Sequence, residues 1–445
     1  MQKIHKTTQV RHKDVMAIAL PATIAFITEP LAGLVDLTVI GRLGDAGLLA
    51  GVVLGGLAFS VFISLAFFLR LGTAGLTAQA IGAREKGDGL SHFIRAAMLA
   101  LLLGFLMIIL MKPIEWFSAL LLVPSENAYA SYATYFNIRV FSAPFTLINF
   151  ALLGWFYGRA EATTGMLLQL LIHGVNIILS ILLVYIFNMG VMGVAIATLI
   201  GQALAAIVGV YLVIHHFNGW QKTKSFINKN ELFDMKAIKR LFSLSRDLMI
   251  RSAVLMFTFA WFTAQVSRMG DVTLAANELL LYFLLISAYF LDGQAQAAEA
   301  LCGRAIGAND KQSFVQSLKL TLFWGFLIGF LLFIFWVFAG GYLIDFMSTN
   351  EEIREKAKLY LIIAALTSFT GVGAFVLDGV MAGATLGSTI RNGMVASAAI
   401  YLVFAIILQK FFGLNGLWIA MHVFFIARTI IFAFALRGKM ASLFK

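Results

Sequence analysis

The chain has 445 residues, 61% of them hydrophobic, and its mean hydropathy is +0.91. Charged residues make up 12%, about half of the roughly 25% usual in soluble domains. A water-soluble enzyme of this length could not bury that much apolar surface. A disordered chain and a disulfide scaffold are excluded as well. The net charge of +11 is spread between apolar runs. It marks topology and does not form a phosphate-binding face, so nucleic acid is not an expected partner. The expected solvent is the lipid bilayer. Strand-type alternation is absent, so the spans are read as helices and not as a barrel.

A span needs about 20 apolar residues. In chain order, twelve are predicted: 14–40, 48–80, 90–111, 128–156, 164–187, 191–215, 241–267, 274–304, 314–342, 356–382, 392–411 and 414–436. The first ~13 residues are polar and basic, and the apolar run after them is too long for a signal-peptide core. With the N-terminus inside, the inner loops and tails carry 20 Lys and Arg against seven in the outer loops. This asymmetry places both termini in the cytoplasm, as an even number of spans requires. The one long polar stretch runs from His216 to about Arg240 and carries five lysines, Lys222, Lys224, Lys229, Lys236 and Lys239.

The chain repeats itself. Leu76–Ala83 is echoed by Leu301–Ala308, and Gly154 and Gly158 by Gly379 and Gly383, each 225 residues on. Arg42-Leu43-Gly44-Asp45 returns as Arg268-Met269-Gly270-Asp271, 226 on, and Gly190 and Gly193 return as Gly413 and Gly416, 223 on. The reading is therefore an N-terminal six-helix lobe (1–217), a cytoplasmic linker (218–240) and a C-terminal six-helix lobe (241–445). Because six is even, the lobes form a parallel repeat about the membrane normal, an arrangement found in alternating-access transporters. The sequence contains no GxxxxGK[ST] phosphate loop, so ATP is not the energy source and an ion gradient must be. The lone Cys302 and seven unpaired histidines offer neither a disulfide nor a metal motif. No metal, no cofactor and no enzymatic activity are expected.

Charges kept in hydrocarbon are costly and mark ion pathways. Glu29 and Asp36, seven apart, share a face of the first span. Pro21 and Pro30 interrupt that span and are candidate hinges. His173, Asn176 and Ser180 lie on one face of the fifth span, placed to network with Asp36. The fourth span adds Arg139 and Asn149. Glu278, Asp292 and Glu299 stripe the eighth span, and Asp378 sits in the tenth. Asp247 and Arg251, four apart, read as a structural bridge. The GxxxG pairs at Gly154/Gly158 and Gly379/Gly383 read as sites of close helix packing.

The run Gly33-Leu34-Val35-Asp36-Leu37-Thr38-Val39-Ile40-Gly41-Arg42-Leu43-Gly44 resembles the first-helix signature of the multidrug and toxic compound extrusion (MATE) family. Leu69-Arg70, Gly75–Ala80, Leu153-Gly154-Trp155, Leu291-Asp292-Gly293 with Glu299-Ala300, and Leu377-Asp378-Gly379 resemble its DNA-damage-inducible protein F (DinF) branch. The resemblance implies twelve helices in two lobes forming a V around a central cavity. It further implies antiport of small organic, often cationic and amphipathic, compounds against H+ or Na+, here by a monomer in the cytoplasmic (inner) membrane. By resemblance Asp36 is the protonated aspartate that bends its helix at Pro21, Asn176 belongs to the same network, and Asp378 is a cation-coupling acid. Some relatives carry an aspartate where this chain has Ser180. Glu29 is then the candidate for the missing second carboxylate. Asn149, His173 and Arg139 are expected to line the substrate cavity. Two further readings keep the architecture. One is Na+-coupled efflux through Asp292 and Asp378, and the other is flipping of a lipid-linked precursor.

Overall fold

The computed structural model describes residues 10–444 except Lys86, Asp88 and Asn228. Every regular element in it is helical. They are α1 (His12–Gly41), α2 (Ala46–Leu65), α3 (Phe68–Gly82), α4 (Leu90–Ile109), α5 (Met111–Leu122), α6 (Glu126–Val140), α7 (Ala143–Gly158), α8 (Ala162–Ile181), α9 (Gly190–His216), the short α10 (Trp220–Ser225) and α11 (Lys229–Leu232), α12 (Met235–Ser267), α13 (Asp271–Gly307), α14 (Lys311–Met347), α15 (Glu351–Ala365), α16 (Thr367–Thr370), α17 (Val372–Gly383) and α18 (Gly387–Leu443). In oil each backbone N–H and C=O must find its partner inside the segment, and the helix achieves this.

Ten helices among the described residues are long and apolar enough to cross a membrane. The pair α6 and α7, bent by 50° at Phe141–Ser142, makes an eleventh. The 57-residue α18 breaks at Gly413, whose φ of 55° and ψ of −129° are not helical, and so supplies two spans. The protein is thus a multi-pass membrane protein, and each of the twelve predicted windows falls on helical chain. Helices run several residues past the apolar windows, because their polar ends continue into water. The start of α12 at Met235 takes in Lys236, Lys239 and Arg240, which the hydropathy reading had left in the linker. Side chains cap several starts. Asp45 accepts from the N–H groups of Gly47 (2.7 Å) and Leu48 (3.2 Å), Asp310 from Ser313 and Asn350 from Ile353.

The duplication is visible in the backbone itself. Residues forced into positive φ recur at the repeat offset: Arg84 and Asn309, Ala160 and Thr385, Asn188 and Gly413, each 225 apart, and Gly44 and Gly270, 226 apart. These mark the same turn in each half. Five of the eight are not glycine, so each half holds a conformation that L residues rarely adopt.

Two compact units can be distinguished. One comprises the chain to Thr23, Ala78–Arg84 and Ser243 onward, and the other Ile24–Thr77 and Glu85–Phe242. The boundary inside α1 thus falls two residues after Pro21, although α1 is helical through both prolines. Within the first unit, Phe283 stacks on Trp336 (centroids 4.5 Å apart), whose indole N–H donates to Ser287 Oγ at 2.8 Å. Here too α17 lies directly on α13. Gly379 and Gly383, one turn apart, face the carbonyls of Ala295 and Glu299, also one turn apart, and neither has room for a Cβ. The GxxxG pair therefore allows α17 and α13 to approach closely in this unit. In the second unit Gly154 does the same against the Arg70 carbonyl and Thr73.

A side chain at Gly383 should wedge α17 off α13. Gly383→Val is expected to cost about 1–3 kcal/mol or more and to lower the melting midpoint in detergent. Gly174→Ala, where nothing lies within 4 Å of an added Cβ, should leave that midpoint unchanged or slightly higher.

Candidate functional site

In the second unit α1, α8 and α9 converge on Asp36. Asn176 and Ser180 are four residues apart on α8, so both reach the same neighbour. Ser180 Oγ donates to Asp36 Oδ1 at 2.7 Å, and Asn176 Nδ2 to Oδ2 at 3.3 Å. Asn176 Nδ2 also lies 2.8 Å from Thr198 Oγ1 on α9, and the Thr198 hydroxyl donates in turn to the Val194 carbonyl. Asp36 is 9% exposed. Its bonded partners among the described residues are neutral, with no ammonium or guanidinium among them. A carboxylate in this position can hold its charge on two donors or take up a proton; no cation is bonded to it, and Arg139 acts on it only through its field.

The other candidates of this unit surround that network without joining it. The Glu29 side chain is exposed and makes no hydrogen bond to Asp36. The guanidinium groups whose charge reaches Glu29 are Arg70 and Arg139. Arg70 is buried with its guanidinium 4.5 Å from the Phe26 ring centroid and 4.1 Å from that of Phe67. Arg139 lies 4.5 Å over Phe59 and donates to Ser142 Oγ at 2.7 Å. His173 shares the α8 face but is not bonded to Asp36, and its Nε2 is buried without a hydrogen-bond partner. Asn149 is 3% exposed and committed to α9, donating to the Gln202 side-chain oxygen (2.8 Å) and carbonyl (3.0 Å).

In the first unit the acids are answered differently. Arg251 Nη2 binds Asp378 Oδ2, and Asp378 Oδ1 is buried without a partner. Arg428 is 1% exposed, packed between Phe375 and Phe424 with centroids 5.5 and 5.6 Å away. The bridge expected between Asp247 and Arg251 is not formed. Asp247 pairs with Arg391 (2.6 Å) and Arg246 (3.3 Å), while Arg251 turns to Asp378. Four-residue spacing allowed the local pair, and a buried acid on another helix took its cation instead. Arg251, Arg428, Asp292 and Glu278 line a cavity of about 470 Å3 whose other walls are apolar and aromatic. Glu299 is not on that wall. It is 1% exposed and accepts from Gln296 Nε2 at 3.0 Å.

Sequence reasoning missed Thr198 as the second anchor of Asn176, and Gln202 as the partner of Asn149. They are the only polar side chains of α9 before Tyr211, so the sequence marks them, but it does not say which buried group each would meet. It also gave Arg251 to Asp247 instead of Asp378 and left Arg428 without a partner, since a cation's choice among several acids is a tertiary matter.

The chain matches the MatE family over residues 21–182 and 248–411. It is 32% identical to the DNA damage-inducible protein F of Escherichia coli strain K12 over 423 residues, which are 94% of this chain and 90% of that protein. Its fold is similar to a Pyrococcus furiosus transporter of the MOP superfamily described as having a binding pocket of reverse polarity (TM-score 0.87, 20% identity, covering 98% of this chain and 97% of that one). It is equally similar to a multidrug resistance MATE family transporter in an outward-facing conformation (TM-score 0.87, 19% identity, 97% and 96%).

Removing the cation from a buried pair strands the acid. Arg251→Ala should cost about 3–5 kcal/mol, read as a lower melting midpoint in detergent. Arg251→Ala combined with Asp378→Asn should recover most of that loss.

Proposed function

The chain belongs to the MatE family of efflux transporters, and on that premise we propose that it exports small organic cations in exchange for H+, with Asp36 as the proton carrier. The observation that carries this reading is the pairing of Asp36 with neutral donors alone, Ser180 and Asn176, at 9% exposure. A proton on Asp36 cancels the charge that attracts a cation and converts an acceptor oxygen into a donor. The donor on that oxygen, Ser180 at Oδ1 or Asn176 at Oδ2, then loses its acceptor, so the protonated and charged forms favour different packings of α1 against α8. Proton and substrate thereby favour opposite states of one element, which is what exchange requires.

Pro21 and Pro30 are the hinges of this scheme. Glu29, within the field of Arg70 and Arg139, serves as the second carboxylate. The Lys and Arg asymmetry supports both termini lying on the inner side of the cytoplasmic membrane, and the proposed transporter is a monomer of two lobes about residues 218–240. Na+ coupling through Asp292 and Asp378 is the weaker reading. Arg251 already occupies one Asp378 oxygen, and Arg428 adds a second fixed positive charge nearby.

The test is reconstitution in liposomes with pH and Na+ gradients imposed separately. Asp36→Asn should reduce pH-driven accumulation of a fluorescent organic cation to the level of empty liposomes while the protein stays folded. Ser180→Ala and Glu29→Gln should slow the exchange. An Asp36→Asn protein that still drives the dye uphill, or a wild type driven by Na+ at clamped pH, would overturn the proposal.

A further inference from the structure

The cavity in the first unit contains a charge that the proton cycle leaves unused. On α13 its wall is the stripe Glu278, Leu281, Tyr282, Leu285, Ala288 and Asp292, spaced as one helix face requires, with Leu284 at its edge. Glu278 and Asp292 are 14 residues apart, about 21 Å along the axis. The cavity is therefore long, with a polar group at each end and an apolar middle.

The two ends differ. At the Asp292 end stand Arg251, paired with Asp378, and Arg428, so cations and acids already meet there. At the other end Glu278 is half-buried with no hydrogen bond, ion pair or charged neighbour among the described residues. A carboxylate so placed is costly unless something arrives to answer it. Phe259, Tyr282, Phe375 and Phe425 supply flat apolar walls, which suit an aromatic or aliphatic body, and faces of this kind also attract cations. The volume of about 470 Å3 falls within the range of pockets that hold drug-sized ligands.

We propose that this cavity is a binding site for a rod-shaped amphipathic organic cation, its positive group on Glu278 and its body along the aromatic walls toward Asp292. The inference rests on the efflux reading above for its substrate class. It differs in placing a substrate site in the C-terminal half, apart from the carboxylate that carries the proton.

Binding to purified protein is measured with the rod-shaped dye dimethylaminostyryl-N-methylpyridinium and its neutral isostere dimethylaminostilbene. Glu278→Gln should weaken the cationic dye about tenfold, as loss of a partly desolvated charge pair does, and leave the neutral one unchanged. Leu285→Trp keeps the charge and fills the apolar middle, so it should weaken both dyes. Equal affinity of wild type and both variants would overturn the proposal, and so would competition by Na+ alone, which would make this an inorganic cation site. Asp36→Asn should retain dye binding while losing gradient-driven export. If Asp36→Asn loses the binding as well, the site is not in this cavity. If it exports normally while Glu278→Gln loses affinity, the coupling reading falls and this site stands.

Discussion

A charge placed in hydrocarbon has only protein atoms to answer it, and the arrangement of this molecule follows from how its few intramembrane acids are answered. Asp36 is met by a hydroxyl and an amide, Asp378 by a guanidinium, Glu299 by a glutamine, and Glu278 by nothing in the described chain. Neutral donors leave the protonation state open. A guanidinium gives the acid a bonded counter-charge, and an unanswered carboxylate waits for a ligand. One functional group, the carboxyl, in one kind of solvent, is thus put to three uses by its neighbours.

The duplicated backbone sharpens the contrast. Positive-φ turns recur at one offset through both halves, so the two bundles inherit the same breaks and crossings. Their acids do not recur in the same way. The residue 225 positions before Asp378 is Leu153, and the residue 225 after Asp36 is Trp261. Fold duplication supplied the frame, and the charges were placed in each half separately. Close crossings at glycine, such as Gly379 and Gly383 against the α13 carbonyls, hold that frame tightly enough for side-chain differences to matter.

Much of this was legible in the sequence. Apolar windows located the membrane helices because hydrocarbon thickness leaves little freedom in their length. The repeat was read from glycine and small-residue echoes, the residues that close packing demands. Asp36 with Asn176 and Ser180 was legible because spacing along α8 put both donors on one face. What escaped the sequence was the choice made among equals. Arg251 had Asp247 one turn away and took Asp378 on another helix. His173 shared the right face yet stayed outside the network, and Asn149 was committed to Gln202. Such choices depend on distances between helices, which periodicity within one helix does not encode. The break at Phe141–Ser142 and the wide turn after Ile181 were also hidden, since an apolar run reads the same whether straight or bent.

That wide turn reaches beyond its own five residues. Over Leu182–Ile186 the chain closes with an i to i+5 bond, Phe187 N–H to the Leu182 carbonyl at 3.2 Å, so it accommodates one residue more than an ordinary turn. Each residue advances a helix by about 100°. A homologue with a regular turn here can be aligned correctly only with a one-residue gap between Ser180 and Gly190. Drawn without the gap, the comparison would rotate every downstream position by about a quarter circle and match lipid-facing side chains with interior ones.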